Sequence, residues 1–93
     1  MKDLKEYFTG RGQVKGYIFN QIKRTKHAYL YEVKENDVIH YEVFKRKINT
    51  MYDCISYPTD KAFGIWAWTF MDLDYAIKKL NEITIDAELK LKY

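Results

Sequence analysis

Six basic residues form two short runs in the middle of the chain, and together they could neutralise a row of phosphates. These residues are Lys23, Arg24, Lys26, Lys45, Arg46 and Lys47. Each phosphate that a Lys or Arg neutralises releases a condensed counterion, which gives an affinity that depends on salt but not on base sequence. If the fold brings the two runs together, the sequence predicts a contact surface for nucleic acid or another polyanion. The structural alternative is that Lys and Arg at strand ends keep a sheet edge from pairing with other chains.

Aromatic residues make up 17% of the chain, with nine Tyr and two Trp, so bases could stack beside those cations. Stacking on an exposed ring contributes about 1–3 kcal/mol per base, and Tyr29, Tyr31 and Trp66 are the candidate platforms. Tyr also has an apolar ring and a polar tip, which suit the half-buried surface of a sheet. The same residues therefore fit either a binding surface or a core.

The residue types that catalysis or metal binding requires are few. His27 and His40 fall about six residue pairs apart on the predicted sheet, roughly 20 Å at about 3.3 Å per residue, which is too far to share a metal ion. The single Cys54 supplies no set of zinc ligands and fits a small buried hydrophobe better than a nucleophile. No glycine-rich phosphate loop opens a helix. We therefore predict a protein that is not an enzyme and that has neither a metal site nor a cofactor.

The composition is that of a small globular protein. The 93 residues are enough for one domain, and 47% hydrophobic with 31% charged residues is not typical of a disordered chain. A net charge of +3 permits an anionic partner without requiring one. One cysteine allows no internal disulfide, and no stretch resembles a signal peptide or a membrane helix. The expected location is the cytoplasm.

Segment 13–57 is rich in β-branched and aromatic residues and predicts strands. Arg24-Thr25 separates the first two strands, and Asn36-Asp37, which suits a two-residue hairpin turn, separates the next two. A fourth strand is predicted over MYDCISY and a fifth over AFGIWAWT. Because the connections are short, the strands should form an antiparallel meander.

The hairpin turns fix which residues lie side by side. If Asn36-Asp37 is a two-residue loop, opposed residues have numbers that sum to 73, so that His27 faces Arg46. The bend at residues 24–25 then lies at the same end of the sheet as residues 45–47. The six cations meet there, and the sequence predicts a basic rim.

The same alignment assigns side chains to the two faces of the sheet. One face receives Ile18, Ile22, Tyr29, Tyr31, Val33, His40 and Phe44. The other receives Tyr17, Phe19, Leu30, Ile39, Tyr41 and Val43. Both faces are apolar, although a single helix can cover only one of them. The second face therefore needs the N-terminal arm, strong curvature toward a barrel, or a partner.

An amphipathic helix should follow the sheet. Thr69 and Asp72 resemble a capping box at its start. Its apolar stripe consists of Leu73, Ala76, Ile77, Leu80 and Ile83. The tail TIDAELKLKY then alternates apolar and polar residues with a period of two, which predicts a terminal strand. Trp66 and Trp68 are expected on one face of the fifth strand, where they either close the core or serve a ligand.

The prediction is an α+β fold: an antiparallel β-meander of about five strands with one amphipathic helix packed on one face, a short N-terminal helix and a C-terminal strand. The short N-terminal helix is based on the spacing of Leu4, Tyr7 and Phe8. Within a single domain over residues 1–93, the predicted parts are an arm or short helix at 1–12, the meander at 13–69, the helix at 70–83 and the terminal strand at 84–93.

The segment FGIWAWTFMDLDYAIKKLNEI resembles the C-terminal part of short bacterial or phage-encoded proteins of unknown function. In these proteins a strand with the pattern F-G-x-W-A-W-T precedes a helix with Ala in its second turn. The resemblance covers the last third of the chain and part of the YEVFKRK strand, and it implies no particular activity. More loosely, the segment is similar to sheet-then-helix DNA-binding modules, which have three strands.

We interpret the chain as a non-catalytic binding module that contacts nucleic acid or another polyanion, such as an acidic protein surface, through the basic end of its sheet. Two alternatives stay open. A protein-binding module, such as a phage-type inhibitor or an assembly subunit, would use the apolar sheet face or the terminal strand. A homodimer would close its own open sheet face. No membrane or small-molecule cofactor is expected as a partner.

Overall fold

A computed structural model describes residues 2–92 and confirms the α+β fold. The strands are β1 Tyr7–Thr9, β2 Ile18–Arg24, β3 Ala28–Glu35, β4 Val38–Lys45, β5 Ile48–Asn49, β6 Cys54–Ile55 and β7 Ala67–Phe70, and the helix is α1 Leu73–Lys92. Short 3-10 turns occupy Gly12–Val14 and Asp60–Ala62. Five strands form one antiparallel sheet in the order β1-β2-β3-β4-β7, and α1 packs on one of its faces. Strands β5 and β6 pair separately.

The hairpin of β3 and β4 has the predicted register. Leu30 lies opposite Val43 and Ala28 opposite Lys45, as the two-residue turn requires. Asn36 in that turn has a φ of +54°, a left-handed conformation that Asn tolerates better than most residues. The turn chemistry therefore fixed the alignment of the two longest strands.

Strand β2 departs from the predicted alignment. Its register to β3 shifts between Gln21 and Lys23, which leaves Ile22 as the extra residue of a bulge. Phe19 consequently lies opposite Val33, on the face of the sheet that faces away from α1. The predicted faces of Tyr17, Ile18 and Phe19 are wrong, because a one-residue slip exchanges the two faces of a strand.

Both faces of the sheet are buried, and the chain itself covers both. On the helix side the buried residues are Ala28, Leu30, Val43, Ala76, Leu80 and Ile83. On the opposite side, Phe19, Tyr29, Tyr31, Val33 and Phe44 form an aromatic core with Ile55, Ala62 and Ala67. The segment after β4 and the N-terminal arm, through Leu4 and Phe8, cover that side. The apolar face that suggested a partner or a dimer is therefore occupied within the chain.

The predicted N-terminal helix is wrong. Residues Tyr7–Thr9 form β1 at the edge of the sheet, where Phe8 lies opposite Phe19 and its ring stacks on that ring at 4.6 Å between centroids. Tyr7 is exposed, as alternation along a strand requires. Three apolar residues spaced by three and one fit this alternation as well as they fit a helix. Met1 lies outside the described residues.

The strand predicted over MYDCISY is also largely wrong. Only Cys54–Ile55 is extended, and it pairs with Ile48–Asn49 rather than with the main sheet. The preceding residues form a turn in which the side chain of Asn49 accepts hydrogen bonds from the backbone N–H groups of Met51 and Tyr52. This local side-chain bonding competes with strand formation.

The helix begins later and ends later than predicted. Its N-cap is Asp72, whose carboxylate accepts a hydrogen bond at 2.8 Å from the N–H of Asp74, so the capping box with Thr69 is wrong. The helix then continues to Lys92, and the terminal strand predicted over 84–93 is wrong in its described part; Tyr93 lies outside the described residues. Residues 87–92 read AELKLK, all strong helix formers, and their propensity overrides the period-two pattern.

The two tryptophans lie on opposite sides of the sheet, contrary to prediction. Trp68 in β7 packs against the helix-side core, whereas Trp66 packs against the aromatic core. Trp66 precedes β7 and belongs to a turn in which Gly64 has a φ of +89°. Strand alternation therefore does not apply to this pair. Among residues 2–92, no helix combines the length and the apolar composition needed to cross a lipid bilayer.

Substituting Gly10→Ala should destabilise the fold. A Cβ atom at this position would lie 2.1 Å from the carbonyl oxygen of Val14, so the backbone of the 3-10 turn has to move. Overpacking of this kind costs about 1–3 kcal/mol, measured as a lower urea midpoint with an unchanged m-value. Substituting Gly16→Ala is the control for backbone strain alone, because Gly16 has a φ of +89° and nothing within 4 Å of the added carbon. A Gly10→Ala protein with an unchanged urea midpoint would contradict the steric explanation, whatever the cost of backbone strain at Gly16.

Candidate functional site

The end of the sheet where β2 turns into β3 lies beside the end of β4. The N–H of Arg46 donates a hydrogen bond to the carbonyl oxygen of His27 at 2.8 Å, and the N–H of Thr25 donates to Ala28 at 2.9 Å. The first bond holds the β2–β3 turn against the end of β4, and the second closes the turn itself. We call this end of the sheet the rim.

The C-terminal half of α1 is anchored to the rim. The hydroxyl oxygens of Thr25 and Thr84 lie 2.7 Å apart, and the Thr84 hydroxyl also donates to the carbonyl oxygen of Leu80. His27 Nε2 and Glu88 Oε1 lie 2.9 Å apart. The helix therefore keeps a fixed position over the rim, and the space between them has a defined shape.

That space is a cleft of about 360 Å³, the helix-side cleft. Its lining residues are Lys26, His27, Lys45, Arg46, Trp68, Lys79, Glu82, Ile83, Asp86, Ala87 and Lys90. Apart from His27, five of these carry a positive charge and two carry a negative charge. The cleft is thus basic, and Trp68, Ile83 and Ala87 give it apolar surface.

The five cations of the helix-side cleft differ in their partners. Lys79 is bonded to Glu82 at 3.1 Å, and its ammonium group lies 4.2 Å from the centre of the Trp68 ring. For Lys26, Lys45 and Lys90, no ion pair forms with any side chain that the structure describes. These three ammonium groups are available to an anion without the loss of an existing ion pair.

A second cleft, of about 800 Å³, lies on the side of the N-terminal arm, and we call it the arm-side cleft. It is lined by Asp3, Arg24, Thr25, Lys26, His27, Tyr29, Arg46 and Leu91. Arg24 is ion-paired with Asp3. The hydroxyl of Tyr29 donates to Asp3 at 2.6 Å, and this bond, with smaller contributions from the Leu4 N–H and from Arg24, lowers the pKa of Asp3 against the opposing effect of burial.

The two clefts together hold most of the charge imbalance of the protein. Six cations and three carboxylates line them, which gives the lining a net charge of +3. The whole chain also has a net charge of +3. The remaining surface is therefore close to neutral overall, and the positive potential is concentrated at the rim.

The six predicted cations do not all reach this site. Lys26, Lys45 and Arg46 line the helix-side cleft, and Arg24 lines the arm-side cleft. Lys23 and Lys47 line neither. The ammonium group of Lys47 instead lies 5.3 Å from the centre of the Trp66 ring, since Lys47 lies beyond the end of β4 and does not follow the alternation of that strand.

Two of the predicted stacking platforms are wrong. Tyr29 is 1% exposed and Tyr31 is 0% exposed, so neither ring has a free face for a base. Both belong to the aromatic core, where they stack on Phe44. Trp66 is half-buried, its ring lies at a steep angle to that of Phe44 with 6.4 Å between centroids, and the ammonium group of Lys47 lies over it. It lines neither cleft.

Sequence reasoning missed the contribution of the helix. Lys79 is not part of the apolar stripe of the predicted helix, and the predicted helix end at residue 83 leaves no place for Lys90. Once the helix continues to Lys92, the residues of α1 that line the cleft recur at helical spacing: Lys79, Glu82, Ile83, Asp86, Ala87 and Lys90. The helical spacing of these residues is therefore present in the sequence, but the strand-like alternation of residues 84–92 concealed it.

Neither metal ligands nor known relatives add a function to this site. Within the described part of the chain, no three His, Cys, Asp or Glu side chains are placed to hold a metal ion. No family model matches the chain, and no curated protein or solved structure is significantly similar to it. The resemblance of the Trp66 segment to phage-type proteins stays a prediction.

Proposed function

We propose that the protein is a non-catalytic module that binds nucleic acid or a similar polyanion at the rim. The observation that supports this most strongly is the convergence of Lys26, Lys45 and Lys90, from three separate elements, on one cleft with no ion pair to the described side chains. A phosphate bound among these three ammonium groups would gain Coulomb energy from each of them.

The shape of the cleft favours an ordered ligand over diffuse attraction. Arg46 is held on the rim by a backbone bond to His27, and α1 is held by Thr84 and Glu88. The cations therefore project from fixed backbone positions. Apolar surface from Trp68 and Ile83 between them suits a ligand with both phosphates and flat apolar groups, which is the chemistry of a nucleotide chain.

A triple charge reversal tests the proposal. The variant Lys26→Glu, Lys45→Glu, Lys90→Glu should bind a labelled 12-nucleotide DNA at least about 100-fold more weakly than the parent in 50 mM salt. The reason is that each charge about 4 Å from a phosphate contributes on the order of 1 kcal/mol even in water, and about 1.4 kcal/mol corresponds to a tenfold change. Fluorescence anisotropy with single-stranded and duplex probes measures the dissociation constants.

The matched control is Lys15→Glu, Lys34→Glu, Lys61→Glu. These three lysines are exposed and lie outside both clefts, and the change in net charge is the same. The control should keep most of the parental affinity. Equal losses in the two variants would show that only net charge matters. The proposal fails if neither probe binds the parent in 50 mM salt at 100 µM protein, or if binding persists unchanged to 500 mM salt.

A further inference from the structure

The two clefts are not separate sites, because they share the residues of the rim. Lys26, His27 and Arg46 line both. The helix-side cleft lies on the face of Leu30 and Val43, whereas the arm-side cleft reaches Tyr29, whose side chain belongs to the opposite face. A ligand that occupies both clefts must therefore bend over the end of the sheet.

Lysine and arginine side chains continue along this path. Lys45, Lys79 and Lys90 lie on the helix side, Lys26 and Arg46 at the crossing, and Arg24 on the arm side. Apolar side chains accompany them at both ends, with Trp68 in the first cleft and the exposed Leu91 in the second. The spacing of charge and apolar surface suits a chain of phosphates that carries bases.

The bend between the clefts determines which ligands can occupy both of them, because such a ligand must be flexible. Duplex DNA has a persistence length of about 150 base pairs and resists sharp bending over a few base pairs. A single strand rotates freely about its backbone bonds and can follow a turn over one layer of sheet. A short duplex can reach one cleft, but only a flexible strand can reach both.

We infer that the two clefts form one track for single-stranded nucleic acid, which lies under α1, crosses the rim at Lys26 and Arg46, and ends beside Arg24. This inference rests on the proposed function and specifies its ligand. It requires that a long strand gains affinity from the arm-side cleft and that a short one does not. The helix-side cleft, which is smaller and holds five of the six cations, receives the short ligand.

The first experiment compares strand length and form. Oligothymidylates of two and eight nucleotides, and a duplex of eight base pairs, are titrated by competition against the labelled 12-mer in 50 mM salt. The octamer should bind at least about 30-fold more tightly than the dinucleotide, which exceeds the sevenfold statistical gain from its seven overlapping dinucleotide positions, because occupation of the second cleft becomes intramolecular. The octamer should also bind at least about tenfold more tightly than the duplex. A duplex that binds as tightly as the octamer would overturn the inference while leaving the proposed function intact.

The second experiment uses the Arg24–Asp3 ion pair. Arg24→Gln and Asp3→Asn each break this pair, but the first removes a positive charge from the arm-side cleft and the second removes a negative one. We expect Arg24→Gln to weaken octamer binding about fivefold, Asp3→Asn to strengthen it about threefold, and both to leave dinucleotide binding unchanged. If the ion pair affected binding only by stabilising the fold, both variants would change the octamer affinity in the same direction.

Outcomes of the second experiment are decisive in each direction. Opposite shifts confined to the octamer support the track. Octamer affinity that is the same in the parent, Arg24→Gln and Asp3→Asn overturns it, since the strand then does not reach the arm-side cleft. Lys45→Gln combined with Lys90→Gln should weaken both ligands, and this separates failure of the track from failure of the proposed function.

Discussion

Replacing Phe44 with Ala should lower the stability of the protein by about 3–5 kcal/mol. Phe44 is 0% exposed and lies at the centre of the aromatic core. Ring centroids of Tyr57, Tyr29 and Tyr31 lie 4.9, 5.5 and 5.7 Å from its own. Truncation removes the apolar contact and leaves a cavity under rings that are too large and too constrained by hydrogen bonds to collapse into it.

The loss is large because a domain of this size has a stability of only about 5–15 kcal/mol. In a thermal scan, about 4–8 °C is lost per kcal/mol for 60–100 residues, so the melting temperature should fall by roughly 12–40 °C. Tyr52→Ala is the control, since it deletes an aromatic side chain that is 73% exposed. It should change the melting temperature by no more than a few degrees. A change of similar size in both variants would contradict the assignment of Phe44 to the centre of the core.

The sequence predictions for the sheet succeeded where turn chemistry fixes the register and failed at a bulge. Periodicity identified β3, β4 and the first half of α1, and turn chemistry at Asn36 aligned β3 with β4. Alternation cannot detect a bulge, so the faces of β2 were exchanged at Ile22. The second apolar face, for which the sequence left the N-terminal arm, curvature or a partner open, is covered by the arm and the segment after β4 through Phe8, Ile55 and Tyr57.

The candidate site was predictable only in its strand half. The register of β3 and β4 places Lys45 and Arg46 beside the β2–β3 turn, and this follows from a two-residue loop alone. The helix half depends on where α1 ends, and the alternating tail concealed that end. Tyr29 and Tyr31 show a second limit of the sequence prediction. Composition shows that aromatic residues are present, but the packing of the fold decides whether their rings are exposed for binding.

Alkaline pH should destabilise the protein steeply between pH 10 and 11, and buried tyrosines are the cause. Burial, with the Asp3 carboxylate beside its hydroxyl, raises the pKa of Tyr29 to about 12. Burial and the adjacent Glu42, which accepts the Tyr57 hydroxyl at 2.6 Å, raise the pKa of Tyr57 as well. In the unfolded chain a tyrosine ionises near pH 10. Because the folded pKa is the higher one, the stability is fully present below pH 10 and is lost as the unfolded state releases its protons above it.

The size of this loss follows from the same linkage. At pH 11 an unfolded tyrosine with a pKa of about 10 gains about 1.4 kcal/mol from ionisation that the folded state does not share. Tyr29 and Tyr57 together should therefore cost about 3 kcal/mol between pH 8 and pH 11. Urea unfolding at pH 8 and at pH 11 measures this change in the free energy of unfolding. Other titrating groups contribute equally to the parent and to a single-site variant, so their contribution cancels when the two proteins are compared.

Substitution of one tyrosine assigns the effect. Tyr57→Phe should lose about 1.4 kcal/mol less than the parent between pH 8 and pH 11, even though removal of its hydrogen bond to Glu42 lowers its stability at both pH values. Tyr52→Phe, with a side chain that is 73% exposed, should lose as much as the parent. If Tyr57→Phe and the parent lose the same amount, the Tyr57 hydroxyl is not protected in the folded state. The closed packing of the arm and the segment after β4 over the aromatic core would then be wrong, since that packing is what keeps the hydroxyl protonated.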